Sequence, residues 1–441
     1  MERTLIRDVK QFVGRRITVC GFVQIVRDQK AVQFIIMRDH TGQLQVAVER
    51  SDRNAAYNAL ISNLPRESAI RVTGEVVANP RIRLGGVEIC LDDLEVVSPA
   101  DSNLPIDLSA HTATSLDKRL DWRFLDLRRP GMYSLFRVQT TVELAMRRFW
   151  ADEGFVEIHS PKLMGSPSES GAELFGLEYF GQKAFLAQSP QFYKQMAMAA
   201  GLDRVFEIGP VFRADPSFTP RHATEFTSVD IEMSWIDSHL DVMDMEERWL
   251  QYVLGAVRDA HADEIGEVFD AEIIVPERPF PRVTMEQAWE ILRHEGHTPP
   301  SDSREGDLDP GAERVLCEYV RREMGHEFVF VTDYPAQVRP FYHMRYEDRP
   351  HITKSFDLLW KGTEINTGAQ REHRYDVLHA QILEKGLSTE PLQFYLDFFR
   401  FGCPPHGGYG FGLARMLMLM LNRSSIRDVE FLHRGPNRLT P

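Results

Sequence analysis

Through the first hundred residues the apolar positions recur with a period of two. RITVCGFVQIV, AVQFIIMRD, GQLQVAVE, SAIRVTGEVV and GVEICLDDLEVV each alternate and are separated by turns such as DHTGQ. That period is the mark of a half-buried strand. One stretch among them, DRNAAYNALISNL, is helical in type. Five short strands with one helical insert predict a small closed barrel. From residue 133 the period changes. Phe136, Val138, Val142, Ala145, Met146 and Phe149 fall on one helical stripe, and FVEIHSPKL after them predicts a strand that includes Pro161. VFEIGPVF and EFTSVDIEM alternate again, enclosing RADPSFTPRHAT, a polar loop whose prolines cannot join a ladder. The unit is strand, long loop, strand. Residues 238–325 predict helices and an insertion without visible chemistry. FVFVTDYPAQVRPFYHM predicts an apolar strand that ends at a polar edge. In FGCPPHGGYGFGLAR, Gly408, Gly410 and Gly412 alternate along a strand, and Arg415 opens the apolar helix after it. The fold class read from this order is α+β.

The length, 441 residues, suits two or three domains with ample core. No apolar run reaches membrane-spanning length, and MERTLIRDVK lacks the apolar centre of a secretory signal. Cys20, Cys90, Cys317 and Cys403 are scattered, which fits a reducing cytoplasm better than a zinc or disulfide framework. The net charge of -14 argues at first against a polyanionic partner. Residues 1–100, however, carry 14 Lys and Arg against 12 Asp and Glu, so they are net +2 and the remainder net -16. A nucleic acid would meet the N-terminal part first.

Candidate chemistry gathers in four places. Arg213 stands where the first strand of the long-looped hairpin ends, with Arg221 and His222 on its loop. Such a device offers fixed cations to a phosphate, and a guanidinium grips two oxygens at once; a surface hairpin with solvated charges reads the same way. The alternating glycines remove side chains from one strand face, so a flat ligand or another backbone can approach. With Arg415 at its end and the Arg213 hairpin beside it, that strand makes a nucleotide pocket. Gln191 and Lys194 share a face at the start of a helix, where the lysine is either a point charge for a small carboxylate or a solvated surface group. Glu364 and Arg371 stand seven apart with Gly368 between. A carboxylate facing triphosphate oxygens holds Mg²⁺; the alternative is a surface ion pair worth roughly 0–1 kcal/mol.

The hairpin and the glycine strand together resemble motifs 2 and 3 of the class II aminoacyl-tRNA synthetases, and the resemblance runs over essentially the whole chain. It implies an OB-fold anticodon-binding domain over 1–102, a hinge over 103–132 carrying RLDWRFLDLRRP, and a catalytic domain over 133–441 with an antiparallel sheet flanked by helices. GFVQIVRDQKAVQFIIMRDHTGQLQV is similar to the class IIb anticodon barrel. That match implies that Phe34 stacks on an anticodon base and Gln45 bonds the central uridine. The helix and strand after residue 133 look like motif 1, which implies a homodimer. SPSESGAELFG resembles the loop whose glutamate, Glu169, meets the substrate amino group, with Ser170 in place of the usual glycine. QSPQFYKQM closely matches the aspartyl-tRNA synthetases, and FVFVTDYPAQVRPFYHM their archaeal and eukaryotic-type branch, with Tyr342 near the substrate.

The implied aspartate-binding set is Glu169, Gln191, Lys194, Arg213, Asp230, Thr367 and Arg371. The implied ATP-binding set is Arg213, Asp215, Arg221, His222, Ala223, Glu364, Gly412, Leu413, Ala414 and Arg415. Glu364 and Thr367 would hold Mg²⁺, and Arg213 and Arg415 would act on the reacting phosphates. Two positions depart from the family. Asp215 is one methylene shorter than the usual Glu, and Ala414 replaces an acidic residue that would support Arg415. The implied reaction joins L-aspartate and ATP to aspartyl-adenylate and passes the aspartyl group to tRNA. Discriminating archaeal-type members commonly carry a His in the first barrel strand and a Pro in the facing loop. The matching positions here are Gln24 and Leu84, so the resemblance implies charging of both tRNA-Asp and tRNA-Asn, with a tRNA-dependent amidotransferase as a later partner. The alternatives are a strictly tRNA-Asp enzyme, a non-catalytic binding paralogue, or an aspartate-activating enzyme outside translation.

Overall fold

The computed structural model describes residues 3–108, 114–166, 173–216, 218–301 and 303–441. Its contacts divide the chain into two compact units, Met1–Tyr133 and Ser134–Pro441.

In the first unit the five alternating runs are β1 (Arg16–Asp28), β2 (Val32–Asp39), β3 (Gly42–Glu49), β4 (Ala69–Ala78) and β5 (Val87–Ser98), with α1 (Ala55–Ser62) between β3 and β4. They close in the order β1-β2-β3-β5-β4, so no strand edge is left to pair with another chain. The inward positions, Val19, Val23, Ile35, Val46, Val72 and Ile89 among them, are buried and form the barrel core. β1 carries a bulge. Val23 faces Met37 and Ile25 faces Ile36, which makes Gln24 the extra residue. RLDWRFLDLRRP forms two short helices, α2 (Leu116–Asp121) and α3 (Arg123–Asp126), with charge turned inward. The buried Asp126 carboxylate accepts from Arg119 Nε at 2.7 Å, Arg123 Nη1 at 2.7 Å and Arg129 Nη1 at 3.3 Å. Burial opposes the charge on Asp126, but the arginines outweigh it and hold the carboxyl below its ordinary pKa.

The second unit opens with α4 (Met132–Asp152), whose buried stripe holds Leu135, Val138, Val142, Ala145, Met146, Phe149 and Trp150. Phe136, expected in the stripe, is only half-buried, and Leu135 takes its place. The expected strand FVEIHSPKL shrinks to β6 (Val156–Glu157), and Pro161 lies beyond it. β7 (Leu163–Met164), β8 (Gly176–Tyr179) and β9 (Gln182–Leu186) make a small sheet in the order β7-β9-β8. Then come α5 (Gln191–Ala199), β10 (Arg204–Phe212), β11 (Glu225–Ser234), α6 (His239–Phe269), β12 (Arg282–Thr284), α7 (Met285–His294) and α8 (Pro310–Met324). β13 (Phe328–Thr332), β14 (Ser355–Trp360), β15 (Thr363–Arg371), α9 (Tyr375–Glu384), α10 (Gln393–Arg400), β16 (His406–Gly412), α11 (Leu413–Met420) and α12 (Ile426–Val429) complete it.

Eight strands form one sheet in the order β12-β13-β14-β15-β16-β11-β10-β6. The inner pairs are antiparallel. The two outermost, β12 with β13 and β10 with β6, are parallel, so the sheet is mixed rather than wholly antiparallel. The last strand, β16, inserts in the middle and brings the glycines between β15 and β11. α6 covers one face of the sheet here. Its Trp249 ring lies 5.0 Å from Phe411 and 5.8 Å from Tyr409. The other face carries the cleft.

Candidate active site

On β11 every second residue from Phe226 to Glu232 shares a face, since strand side chains alternate. That face presents Phe226, Ser228, Asp230 and Glu232. From α5, Lys194 reaches over it. Its Nζ lies 3.0 Å from Asp230 Oδ1 and 3.4 Å from Glu232 Oε2, and donates to the carbonyls of Tyr409 at 3.2 Å and Ile231 at 3.4 Å. Arg371, at the end of β15, donates from Nε to Glu232 Oε1 at 3.0 Å and from Nη2 to Gly408 O at 2.9 Å. Its Nη1 donates to His343 Nε2 at 3.1 Å. Burial, with Arg371 and Arg339 adding, holds the His343 pKa well below its ordinary value, so the imidazole is a neutral acceptor. Burial also works against the charge on Glu232, but Arg371, Lys194 and His406 outweigh it and its pKa is lowered. Glu232 is thus the shared counter-ion of the two cations. Sequence reasoning missed it, although its spacing of two from Asp230 was in view.

The glycine face needs correction at one position. A Cβ on Gly408 would lie 2.1 Å from Ile231 O and 2.4 Å from Glu232 Oε2, so the chain's own backbone and carboxylate fill that space. At Gly410 the nearest atom is Asp230 Oδ1 at 3.2 Å. Gln191 anchors its amide on the next helical turn, donating to Gln195 Oε1 at 2.9 Å.

The other end of the cleft is cationic. Arg213 follows β10, with its guanidinium 5.5 Å from the Phe226 ring. Arg221 is not free on its loop. It pairs with Glu313 of α8, Nη1 to Oε2 at 2.6 Å and Nη2 to Oε1 at 3.4 Å. Glu313 Oε2 also accepts from the Glu364 backbone N–H at 3.2 Å. Burial, with Glu364 adding and Arg221 opposing, pushes the Glu313 carboxyl up to about 7. The stretch read as having no chemistry therefore supplies a carboxylate to the site. His222, expected as a cation, is not one at neutral pH. Burial and the nearby Arg415 lower its pKa, and its Nδ1 shares a hydrogen bond with Thr219 Oγ1. Arg415 donates from Nη1 to Glu364 O at 2.8 Å and from Nε to Arg221 O at 3.4 Å. Its Nη1 is 3.5 Å from Glu364 Oε1, so Glu364 gives the support that Ala414 cannot.

On an unbroken strand Glu364 and Arg371, seven apart, would point to opposite faces. A bulge in β15 reconciles them. Leu358 faces Asn366 and Leu359 faces Glu364, which makes Ile365 the extra residue and returns Glu364 to the side of Thr367 and Arg371. Thr367 Oγ1 then donates to Glu364 Oε1 at 3.3 Å.

Both ends open into one cleft of about 440 Å³. It is lined by Gln191, Lys194, Asp230, Thr367 and Arg371 at one end. Arg213, Asp215, Arg221, His222, Ala223, Glu364, Gly412, Ala414 and Arg415 line the other. Tyr342, Phe226 and Glu173 line it as well. Leu413 is buried at 3% exposure and is not among the lining residues. Glu169 and Ser170 lie outside the described residues.

In the first unit Phe34 pairs across to Ala47, and Ile36 to Gln45, so Phe34 and Gln45 stand two rungs apart on the outer barrel face. Gln45 Nε2 donates to Glu88 Oε2 at 2.9 Å, and Asn79 Nδ2 to Glu88 Oε1 at 2.9 Å. Glu88, absent from the sequence reading, thereby turns both amide oxygens the other way. Gln24, in the β1 bulge, has a buried side-chain Oε1 with no partner among the described residues, and its backbone oxygen accepts from Arg66 Nε at 3.1 Å. Leu84 lies in the turn joining β4 and β5.

The family described as tRNA synthetases class II (D, K and N) matches residues 115–434, and the OB-fold nucleic acid binding domain matches residues 17–97. The aspartate–tRNA(Asp) ligase of Pyrococcus abyssi is 44% identical over 428 residues, covering 97% of each chain. The aspartate–tRNA(Asp/Asn) ligase of Archaeoglobus fulgidus is 42% identical over 440 residues, covering 100% of both. Among solved structures, the asparaginyl-tRNA synthetase from Pyrococcus horikoshii complexed with asparaginyl-adenylate superposes with a TM-score of 0.91 at 32% identity, covering 100% of both chains. The aspartyl-tRNA synthetase from Entamoeba histolytica does so with a TM-score of 0.87 at 32% identity, covering 100% of this chain and 93% of that one.

Proposed function

The chain belongs to the class II aminoacyl-tRNA synthetases of the D, K and N group, and from that membership we propose how its cleft activates L-aspartate with ATP and charges tRNA. Its activity is that of an aspartate–tRNA ligase. The observation that carries the amino-acid assignment is a charge count. Lys194 and Arg371 face Asp230 and Glu232, two cations against two carboxylates. An incoming α-ammonium takes Asp230. One positive charge is then left over, which a side-chain carboxylate neutralises and a carboxamide does not.

The α-carboxylate of aspartate is ionised at neutral pH, so its attack on the α-phosphorus needs no general base. Bond formation to that phosphorus expels pyrophosphate, and the work left to the protein is orientation and charge stabilisation. Arg213 is assigned to the α-phosphate, Arg415 to the γ-phosphate, and Arg221 with the neutral His222 to the distal oxygens. Phe226, on the cleft face of β11, offers a ring to the adenine. Glu364 and Thr367 are both oxygen donors turned to the same side by the bulge, which is the donor type Mg²⁺ takes, alongside substrate phosphates and water. When bound there, the ion would neutralise charge on the triphosphate.

A homodimer belongs to this reading. Leu144 on α4 is 61% exposed and Val156 on β6 49%, apolar surface that a subunit contact through that helix and strand would cover. Among the described residues no helix is long and apolar enough to cross a membrane. A cytoplasmic setting is supported by four cysteines that are all free. ATP–pyrophosphate exchange with aspartate, asparagine and lysine tests the activation step. Exchange driven as well by asparagine as by aspartate overturns the amino-acid assignment.

For the tRNA, the reading is relaxed. The Gln24 amide can present a donor or an acceptor to the third anticodon base, the position that separates tRNA-Asp from tRNA-Asn. Aspartyl-tRNA-Asn would then pass to an amidotransferase. Charging of the two transcripts decides between this and a strictly tRNA-Asp enzyme.

A further inference from the structure

Behind the cleft, on the face of the sheet that α6 covers, lies a buried carboxyl group with no role in the chemistry described so far. Glu246 is 0% exposed and sits on α6 three residues before Trp249. Its Oε1 accepts a hydrogen bond from Asn366 Nδ2. Asn366 Oδ1 in turn accepts from the Leu358 backbone N–H at 2.9 Å. That N–H is at the rung where the β15 bulge interrupts the ladder. An amide side chain thus serves as the acceptor at that rung: the Leu358 N–H sets which way the amide points, and Glu246 anchors its nitrogen end. Without that anchor the amide can turn away from Leu358, and the bulge would lose its bond inside a dry core.

The geometry is specific about consequence. The bulge is what turns Glu364 to the side of Thr367, and Asn366 lies between them in the chain, with its side chain on the opposite face. We infer that Glu246 is a positioning residue for Glu364 and Thr367: through Asn366 it holds the β15 bulge that turns both oxygen donors into the cleft. This rests on the reading of Glu364 and Thr367 as the Mg²⁺ donors. Burial without a cationic partner raises the Glu246 carboxyl well above its ordinary pKa, so the group is a neutral acid, and glutamine is its isosteric replacement.

The test measures Mg²⁺ binding by calorimetry in the presence of a non-hydrolysable ATP analogue, alongside Mg²⁺ half-saturation in exchange. Glu246→Met removes the acceptor at nearly constant volume and should weaken Mg²⁺ about tenfold, as loss of support behind a metal ligand commonly does. Aspartate binding measured without nucleotide should stay within twofold. Glu246→Gln should restore Mg²⁺ binding to within twofold of the parent. A Met variant that binds Mg²⁺ like the parent, or a Gln variant as weak as the Met variant, overturns the inference. Should the Met variant fail to fold, Glu246→Asp, which withdraws the acceptor by one methylene, should weaken Mg²⁺ about threefold, and an unchanged constant overturns the inference. Glu364→Gln separates the two readings. If it leaves Mg²⁺ binding intact, the metal assignment falls; if it weakens binding while the Glu246 variants do not, the positioning role alone falls.

Discussion

Lys194→Met puts the charge count at the amino-acid end of the cleft to the test. Lys194 is 2% exposed and sits between two carboxylates, 3.0 Å from Asp230 and 3.4 Å from Glu232. Methionine keeps much of the volume and removes the charge. Before substrate enters, Asp230 and Glu232 are left with Arg371 alone, so the site carries one net negative charge. The substrate side-chain carboxylate then loses an attractive contact. At about 4 Å and an effective dielectric near 20, one such contact is worth about 4 kcal/mol. A loss of that size corresponds to about a thousandfold in kcat/KM for aspartate, since each 1.4 kcal/mol is tenfold. Asparagine presents a neutral amide at the same place and should lose about tenfold or less, from the shift of Asp230. ATP–pyrophosphate exchange with each amino acid measures both. Removing one partner of a buried pair also costs the fold about 3 kcal/mol or more, so thermal melting must show that the variant is folded at the assay temperature. If kcat/KM falls equally for aspartate and asparagine in a folded variant, Lys194 is a strut for Asp230 and the assignment of the substrate carboxylate to it is wrong.

Glu364→Gln should abolish exchange while far-ultraviolet dichroism and sedimentation stay unchanged; full activity would move the metal to other donors. In charging assays on the two transcripts, a preference for tRNA-Asp above about a hundredfold, near 2.7 kcal/mol, would sink the relaxed reading of Gln24. Gln24→His should raise the preference and leave exchange without tRNA untouched. His406 is fully buried, donating from Nδ1 to Pro404 O and accepting on Nε2 from Gln195, and burial lowers its pKa to about 4. The unfolded chain takes that proton near pH 6.5. The stability is therefore complete above about pH 6.5 and is lost as the pH falls toward 4, by about 2 kcal/mol between pH 7 and pH 5. Urea unfolding at the two pH values checks it, and His406→Gln should remove that share of the acid loss.

The barrel and the central hairpin were legible because their signals are local. Alternation in RITVCGFVQIV or EFTSVDIEM states both the strand and its faces, and the prolines of RADPSFTPRHAT state where pairing must stop. Arg213 and Arg415 were legible for a related reason, since each sits at the end of an element whose boundary is written in glycine, proline or a change of period. FVEIHSPKL misled because its apolar residues suit a strand that has little to pair with. β6 pairs with β10 at only two positions, and the chain leaves the edge of the sheet before Pro161. The stripe on α4 held at Val138, Val142, Ala145, Met146 and Phe149, and only Phe136, at the edge of the buried arc, gave way to Leu135, because helical periodicity constrains that edge less tightly than packing does. Trp150 forms one edge of that arc, its ring 5.0 Å from Trp249.

The residues that escaped were those whose role depends on a partner far away in sequence. Glu313 meets Arg221 across 92 positions, and Asn366 meets Glu246 across 120. No spacing rule links such pairs, because a helix exposes the same i, i+3, i+4 pattern whether a given glutamate points to water or into a cleft. Glu313 sits on a helix whose apolar positions, Ala312, Leu316 and Val320, predict the helix well and say nothing of what its polar neighbours touch. The bulge in β15 is harder still. From sequence alone, the separation of seven between Glu364 and Arg371 argues that the two face apart, so the metal and amino-acid groups could be put on one side only by likeness to known synthetases. The physical reason emerges from the other side of the sheet, where the Asn366 amide satisfies the N–H that an extra residue leaves without a backbone partner. A strand can carry an irregular rung through a dry core only if some side chain completes its hydrogen bonds. That requirement ties the composition of α6, on the far face, to the direction of a carboxylate in the cleft.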